Sequence, residues 1–399
     1  MVSMALTKPS RTSRRLLFPK WSSNSSRKQS SEPWLRRKKH SRLRANGFET
    51  LQIRTRHGLF LHKAQRVLRE DGTSRNLREQ TFSEPLRQLC LHWCCHLPFE
   101  QVEKLLSQIG GSDLYSHNTL WRICQTEAHR QDQLETQRIE QSLDLPDPVF
   151  EAASDLYSPE VAESVVFTDA IGVKAQKPTR EKQGQAKVAK VAKRHDTDVM
   201  ILPRPDGGEH FVCEGVSGQW TLVEAARAWF KREWFALGFS PAPLVALTDG
   251  AKNIRADLKA LFGEQVRVVL DWYHLKTRVY QNLSMVAHGK QERESWQNAV
   301  LPLLWRGKVE EALRFLSGLK ARHQWALDDL LGYLAKHHEE IIDYQRRQEA
   351  GKPIGSGRME KGVDQVIGRR QKGKAMSWTK SGTRALALLT CATLNARPA

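Results

Sequence analysis

The sequence predicts a mixed α/β domain broken by a helical insertion, behind a mainly α-helical N-terminal region. Three observations predict it. Short runs rich in Val and Leu end on Asp169, Asp249 and Asp271, as strands buried on both faces do. Leucines recur at helical spacing between residues 309 and 334, with charges filling the gaps. Ahead of both, Leu86, Leu89, Cys90, Trp93 and Cys94 mark a helix face.

A chain of 399 residues with 40% hydrophobic content is long enough for two or three domains and at least one sizeable core. No window approaches 18 consecutive apolar residues, so a membrane span is not expected. The formal charge of +19 makes a polyanion the expected partner, since such a field draws phosphate backbones from a distance. Charge names a class of partner and no activity. Cys90, Cys94, Cys95, Cys124, Cys213 and Cys391 show no pairing pattern and fit a reducing compartment. The run Cys90 to His96 lacks the separated second ligand pair of a zinc site, so a buried helix face is the favoured reading.

Residues 1 to 46 carry much of the charge; the first 60 residues hold fifteen Lys or Arg against two Glu. Such a segment buries too little apolar surface to fold alone. It reads as a disordered nucleic-acid arm, with a mis-chosen start codon and an organelle targeting peptide as alternatives. From Phe48 the pattern alternates: Leu51, Ile53 and Thr55 share a face, His57-Gly58 turns, and Leu59 to Lys63 returns as a small β-hairpin within 47–80. Its Arg54 and Arg56 either meet phosphates or line a solvated face.

Residues 81–140 are expected to be helical. A first helix runs from Glu84 to His96, a second opens at Pro98, Gly110-Gly111 breaks it, and Ser116 caps a third beginning at His117. Two helices around a glycine turn fit a helix-turn-helix, although the turn is longer than usual; a plain helical bundle is the alternative. In the first case His117, Asn118, Thr119 and Arg122 face a DNA groove. The proline-punctuated stretch 141–160 is the expected linker.

Beyond it, Val165 to Asp169 opens a strand that continues to about Val173, and a basic excursion follows. Val199–Leu202 and His210–Cys213 are the next strands, turning at Asp206-Gly207-Gly208. Thr221 to Phe235 is an amphipathic helix with Leu222, Ala226, Trp229 and Phe230 inward. Then come the strand ending at Asp249, a helix, and the strand ending at Asp271. This order matches an RNase H-like core over 161–290, in which the first and fourth strands are neighbours and bring Asp169 beside Asp249. Ligands of such sheets gather outside the carboxyl ends of the strands. Helices over 291–350 interrupt the core, and 351–399 completes it with a glycine-flanked turn, Glu360 in the first turn of a helix, and a closing helix from Ser381 to Asn395.

Taken together, Leu247-Thr248-Asp249-Gly250-Ala251, Asp271-Trp272-Tyr273-His274, Gly355-Ser356-Gly357 through Glu360 to Arg369, and Met376-Ser377-Trp378 carry a family resemblance. The chain resembles bacterial insertion-sequence transposases with an RNase H-like aspartate-aspartate-glutamate (DDE) domain and a helical insertion before the glutamate. The resemblance covers about residues 160 to 395. It implies that Asp169, Asp249 and Glu360 are catalytic metal ligands for two Mg2+ or Mn2+ ions, which suits in-line phosphoryl displacement and the oxygen preference of hard cations. Asp271 stands where many relatives have a cysteine; it either approaches the metals or caps a helix. His274 either contacts the scissile phosphate or is an ordinary packed histidine. Lys252, Arg358, Arg369 and Arg370 are further expected DNA contacts, and Asp364 is expected to pair with Arg369 or a nearby lysine.

The implied function is a DDE transposase that binds terminal inverted repeats and cleaves and joins DNA strands, acting in the cytoplasm with the nucleoid. Its partners would be double-stranded DNA and further copies of itself. The alternatives are a catalytically inactive DNA-binding derivative and a structure-selective nuclease on the same core.

Overall fold

The computed structural model describes residues 44–55, 58–68, 74–76, 83–110, 115–147, 149, 155–177, 193–236 and 242–396. Most of the expected basic arm, Arg56 and the middle of the basic excursion at 178–192 lie outside the described residues. The chain divides near Ser83 into two compact units. In the first, β1 (Arg44–Thr55), β2 (Gly58–Leu68) and β3 (Ser74–Asn76) form a sheet in that order, with β3 antiparallel to β2. Ile53, Ala64 and Val67 are its buried residues. The expected hairpin thus has a third strand, and Arg54 is half-buried.

The second unit contains everything from Glu84 on. Helices α1 (Glu84–Cys94), α2 (Phe99–Gly110) and α3 (His117–Ser142) start near the expected residues. The Ser116 hydroxyl caps α3 by accepting from the Thr119 N–H at 3.3 Å. At 26 residues α3 is about 39 Å long and runs past the expected helix limit. Its buried Asp132 accepts from the Val216 and Ser217 N–H groups, each at 3.1 Å, so α3 is bolted to the turn after β6 (Glu209–Cys213). The described residues of the proline-rich stretch at 141–160 lie within the second unit. All six cysteines are buried and free.

The central sheet contains β4 (Ser164–Lys174), β5 (Arg194–Pro203), β6, β7 (Leu244–Thr248) and β8 (Val266–Leu270), in the order β6-β5-β4-β7-β8. β5 is antiparallel to β4 and β6 to β5, whereas β7 runs parallel to β4 and β8 to β7. Every residue of β7 is buried, which explains its unbroken apolar run. One face packs Val166, Met200, Leu202 and Ala246 against α4 (Leu222–Ala236) and α5 (Lys252–Phe262).

The other face packs Phe167, Val199, Ile201, Val245 and Leu247 against the rest of the chain. That covering comprises α6 (Trp272–Val286), the insertion helices α7 (Lys290–Trp305), α8 (Val309–Ser317), α9 (Gln324–Lys336) and α10 (Tyr344–Glu349), and then α11 (Gly357–Val363). A π-helical turn at Asp364–Gly368 and a short continuation to Gln371 follow, before α12 (Lys380–Asn395) closes the fold. The helical spacing at 309–334 is core packing: Val309, Leu316, Leu327, Leu330 and Leu334 are buried. Among the described residues, no helix is long and apolar enough to cross a membrane.

Candidate active site

Register decides where the carboxylates fall. Phe167 of β4 pairs with Leu247 of the parallel β7. Two residues farther on, Asp169 and Asp249 therefore emerge side by side from neighbouring strands on the face that carries α11. Glu360 lies one turn into α11, whose Met359 and Val363 are buried in the same core cluster. Gly362 lets this helix lie close: a Cβ there would stand 2.5 Å from Ile201 Cδ1.

Electrostatics ties the group together. Burial pushes the Asp169 carboxyl above its ordinary range, the N–H of Ala170 pulls it back, and the charges of Asp249 and Glu360 raise it further. His274 counters them, lowering Asp169. The His274 imidazole is itself raised, first by its hydrogen bond to Asp271, against burial, and then by the charges of Asp271, Asp249 and Asp169. Asp249 accepts from the Ala251 N–H at 2.8 Å, and Glu360 is exposed. Among the described residues, no group of three or more His, Cys, Asp or Glu side chains is gathered closely enough to hold a metal ion. Asp249 and Glu360 act on Asp169 through their charge, and the three side chains offer oxygen donors only, the type a hard cation takes, without being drawn together around one point.

Asp271 has the capping role. It is buried, and its Oδ1 accepts from the N–H groups of Tyr273 and His274 at 2.6 and 2.9 Å. Its Oδ2 accepts from the backbone N–H of Ser356 and from the Ser356 hydroxyl at 2.6 Å. Burial pushes this carboxyl up, but the hydrogen bonds from His274 and Ser356 outweigh it and hold it at about 2. One carboxylate therefore starts α6 and anchors the turn that leads to Glu360. The Trp272 N–H donates to the Ile354 carbonyl at 3.1 Å beside it. Gly355 leaves room for the Tyr273 ring, since a Cβ there would stand 2.6 Å from it and the ring would have to shift.

The expected DNA contacts separate into three groups. Asn118, Arg122, Lys252 and Arg369 are exposed and Thr119 is half-buried. Arg369 pairs with Asp364 at 2.8 Å, as the sequence suggests. Arg358 forms a two-pronged ion pair with Glu209 and lies over the Phe211 ring, so its charge is already engaged. Arg370 is corrected: it is buried between the Phe99 and Trp378 rings and donates to the Cys94 carbonyl at 2.8 Å, out of reach of a phosphate. A π-helical turn before it rotates its side chain inward while Arg369 stays outside.

The role of Ser356 within its motif, and His337 altogether, are not readable from the sequence. The His337 ring, 1% exposed, packs on Gly250 next to Asp249; its Nδ1 meets Glu340 at 2.5 Å, and its Nε2 has no partner among the described residues. Gly250 has φ +83°, and a Cβ there would stand 2.8 Å from that ring. Contacts spanning 85 residues, as between Asp271 and Ser356, leave no periodicity to read.

No protein-family model matches the chain, and no curated protein matches it.

Proposed function

We propose that this chain is a DNA strand-transfer enzyme of the transposase type, built on an RNase H-like core and using Asp169, Asp249 and Glu360 as its carboxylate set. The adjacency of Asp169 and Asp249, dictated by the Phe167–Leu247 pairing, carries the reading. The shared field of Asp249, Glu360 and His274 at Asp169 supports it. Sheet order and strand directions agree with that core, with the first and fourth strands adjacent.

Two Mg2+ or Mn2+ ions held by these carboxylates would supply charge neutralisation at the scissile phosphate and activation of the attacking oxygen. The chain's own residues do the rest. The Asp271–Ser356 tie holds the Glu360 turn against the strand ends. His274, whose hydrogen bond to Asp271 favours its protonated form, is assigned to donate to a phosphate oxygen. In the first step a water oxygen bonds to phosphorus as the bond to the 3′ oxygen breaks, freeing a 3′ hydroxyl. In the second, that hydroxyl attacks a target phosphodiester and displaces its 3′ oxygen. Exposed Asn118 and Arg122 at the start of α3 are assigned to terminal-repeat binding. Acting on DNA puts the protein with the nucleoid.

The test is strand cleavage and joining on DNA carrying the element's terminal repeats, with and without Mg2+. Cleavage and joining that vanish in Asp169→Asn, Asp249→Asn and Glu360→Gln support the proposal. Retention in all three variants sinks it. Cutting without joining identifies a nuclease, and binding without cutting an inactive derivative.

A further inference from the structure

A second feature lies along the outer edge of the sheet. Between α5, the start of β8 and the end of α9 runs an open groove of about 790 Å³. Lys252, Arg255, Lys259, Arg267 and Lys336 line it. Three carboxylates line it too, so the availability of each cation decides what the groove can bind.

Glu340 is already engaged inside the wall: it pairs with Arg255 at 2.6 Å and with buried His337 at 2.5 Å. This fixes one side of the groove to the residue that packs on Gly250. Glu264 meets Lys259 at 3.7 Å with both side chains exposed, a contact worth little in water. Arg267 gives one N–H to the Glu339 carbonyl at 3.1 Å, which consumes no carboxylate. Among the described residues, neither Lys252 nor Lys336 has a carboxylate partner. Unpaired positive charge therefore stands on both walls, Lys252 on the helix after Asp249 and Lys336 on the insertion, with the exposed carboxylate of Glu339 also on the insertion side.

The layout selects the ligand. Lys252 and Lys259 lie two helical turns apart, about 10 Å along α5. A small anion needs donors that converge on one point, whereas these are strung along an open channel. A phosphodiester backbone, with negative charge repeated every few ångströms, matches such a track. Lys252, at the start of α5, is three residues beyond Asp249, so one end of the groove lies a short stretch of chain from the candidate site.

We propose that this groove holds the phosphate backbone of duplex DNA running on from the carboxylate site, with Lys252 and Lys336 as its principal contacts. The identity of the polyanion as DNA rests on the function proposed above; the groove and its charges do not. Such contacts read no bases, so they would position the duplex and leave sequence choice to other residues.

The experiment uses the full chain, a fluorescent 30-base-pair duplex and a KCl series in EDTA, so that binding is measured without divalent metal and independently of cleavage. Lys252→Ala with Lys336→Ala is expected to lower the slope of log affinity against log salt by about 2, and to weaken binding equally for unrelated sequences. Lys290→Ala with Lys308→Ala, removing exposed lysines elsewhere, is expected to leave the slope unchanged. A wild-type slope in the groove variant or an equal drop in the control variant would overturn the proposal. If the carboxylate variants still cleave while the groove variant loses its slope, the proposed chemistry fails and the groove stands.

Discussion

The carboxylate of Asp271 is shared between the start of one helix and the turn before another, accepting from both the N–H and the hydroxyl of Ser356. Eighty-five residues, including the whole helical insertion, separate the two. The tie decides where Glu360 stands relative to the strand ends.

Replacing Asp271 by Ala leaves buried N–H groups of Tyr273, His274 and Ser356 unanswered, and is expected to cost about 2–4 kcal/mol of stability. Ser356→Ala keeps the backbone bond and should cost about 1 kcal/mol. The pH dependence has a definite sign. The folded carboxyl sits at about 2, below its ordinary 3.8. Its stabilisation is therefore complete above about pH 4 and lost as pH falls through 2. Urea melts between pH 2 and 5 should show this loss in the wild type, with a flatter curve in Asp271→Ala.

Asp169→Asn should remove activity and raise stability. Burial, together with Asp249 and Glu360, raises this carboxyl, so its charged form is disfavoured in the folded chain. Neutralising it should raise Tm at pH 7, where the charged form is penalised, and raise it less at pH 3, towards the range in which the carboxyl takes up its proton. Calorimetry at the two pH values checks this. A lower Tm at pH 7 would show that Asp169 is held by contacts stronger than the repulsion it suffers.

Gly355→Ala drives a Cβ to within 2.6 Å of the Tyr273 ring, and is expected to cost about 1–3 kcal/mol. Adding Tyr273→Ala should recover most of this, because the ring is the obstacle and is itself 57% exposed. A double-mutant cycle by chemical denaturation measures the coupling. Strictly additive losses would place the strain elsewhere.

Arg347 is fully buried and forms a two-pronged pair with Glu163, which also accepts from Lys352 at 2.7 Å. It also donates to the Leu156 and Pro353 carbonyls. These bonds clamp the end of the insertion to the lead into β4. Arg347→Ala leaves Glu163 to Lys352 alone and the Leu156 and Pro353 carbonyls without this donor, and should cost about 3–5 kcal/mol. Arg347→Met with Glu163→Gln should be less damaging than Arg347→Ala alone, as thermal melts would show.

Some of this was legible in the residues alone. Apolar runs of five residues ending on Asp169 and Asp249 specified strands buried on both faces, because a strand covered on two sides has no polar positions to alternate. The 3.6-residue recurrence of Val309, Leu316, Leu327, Leu330 and Leu334 specified core-facing helices, and the Ser116 cap was readable from local chemistry. These are local rules, satisfied within a few residues.

Tertiary packing decided the rest. Whether Asp271 joins the carboxylate set or caps a helix depends on Ser356, and whether Arg370 or Arg369 faces solvent depends on a π-helical turn whose extra residue rotates the helix. Whether residues 84–142 stand apart depends on Asp132 reaching the turn at Val216 and Ser217. Each is a pairing across many residues of chain, and a polar or charged side chain carries in its own sequence neighbourhood no record of which distant partner satisfies it.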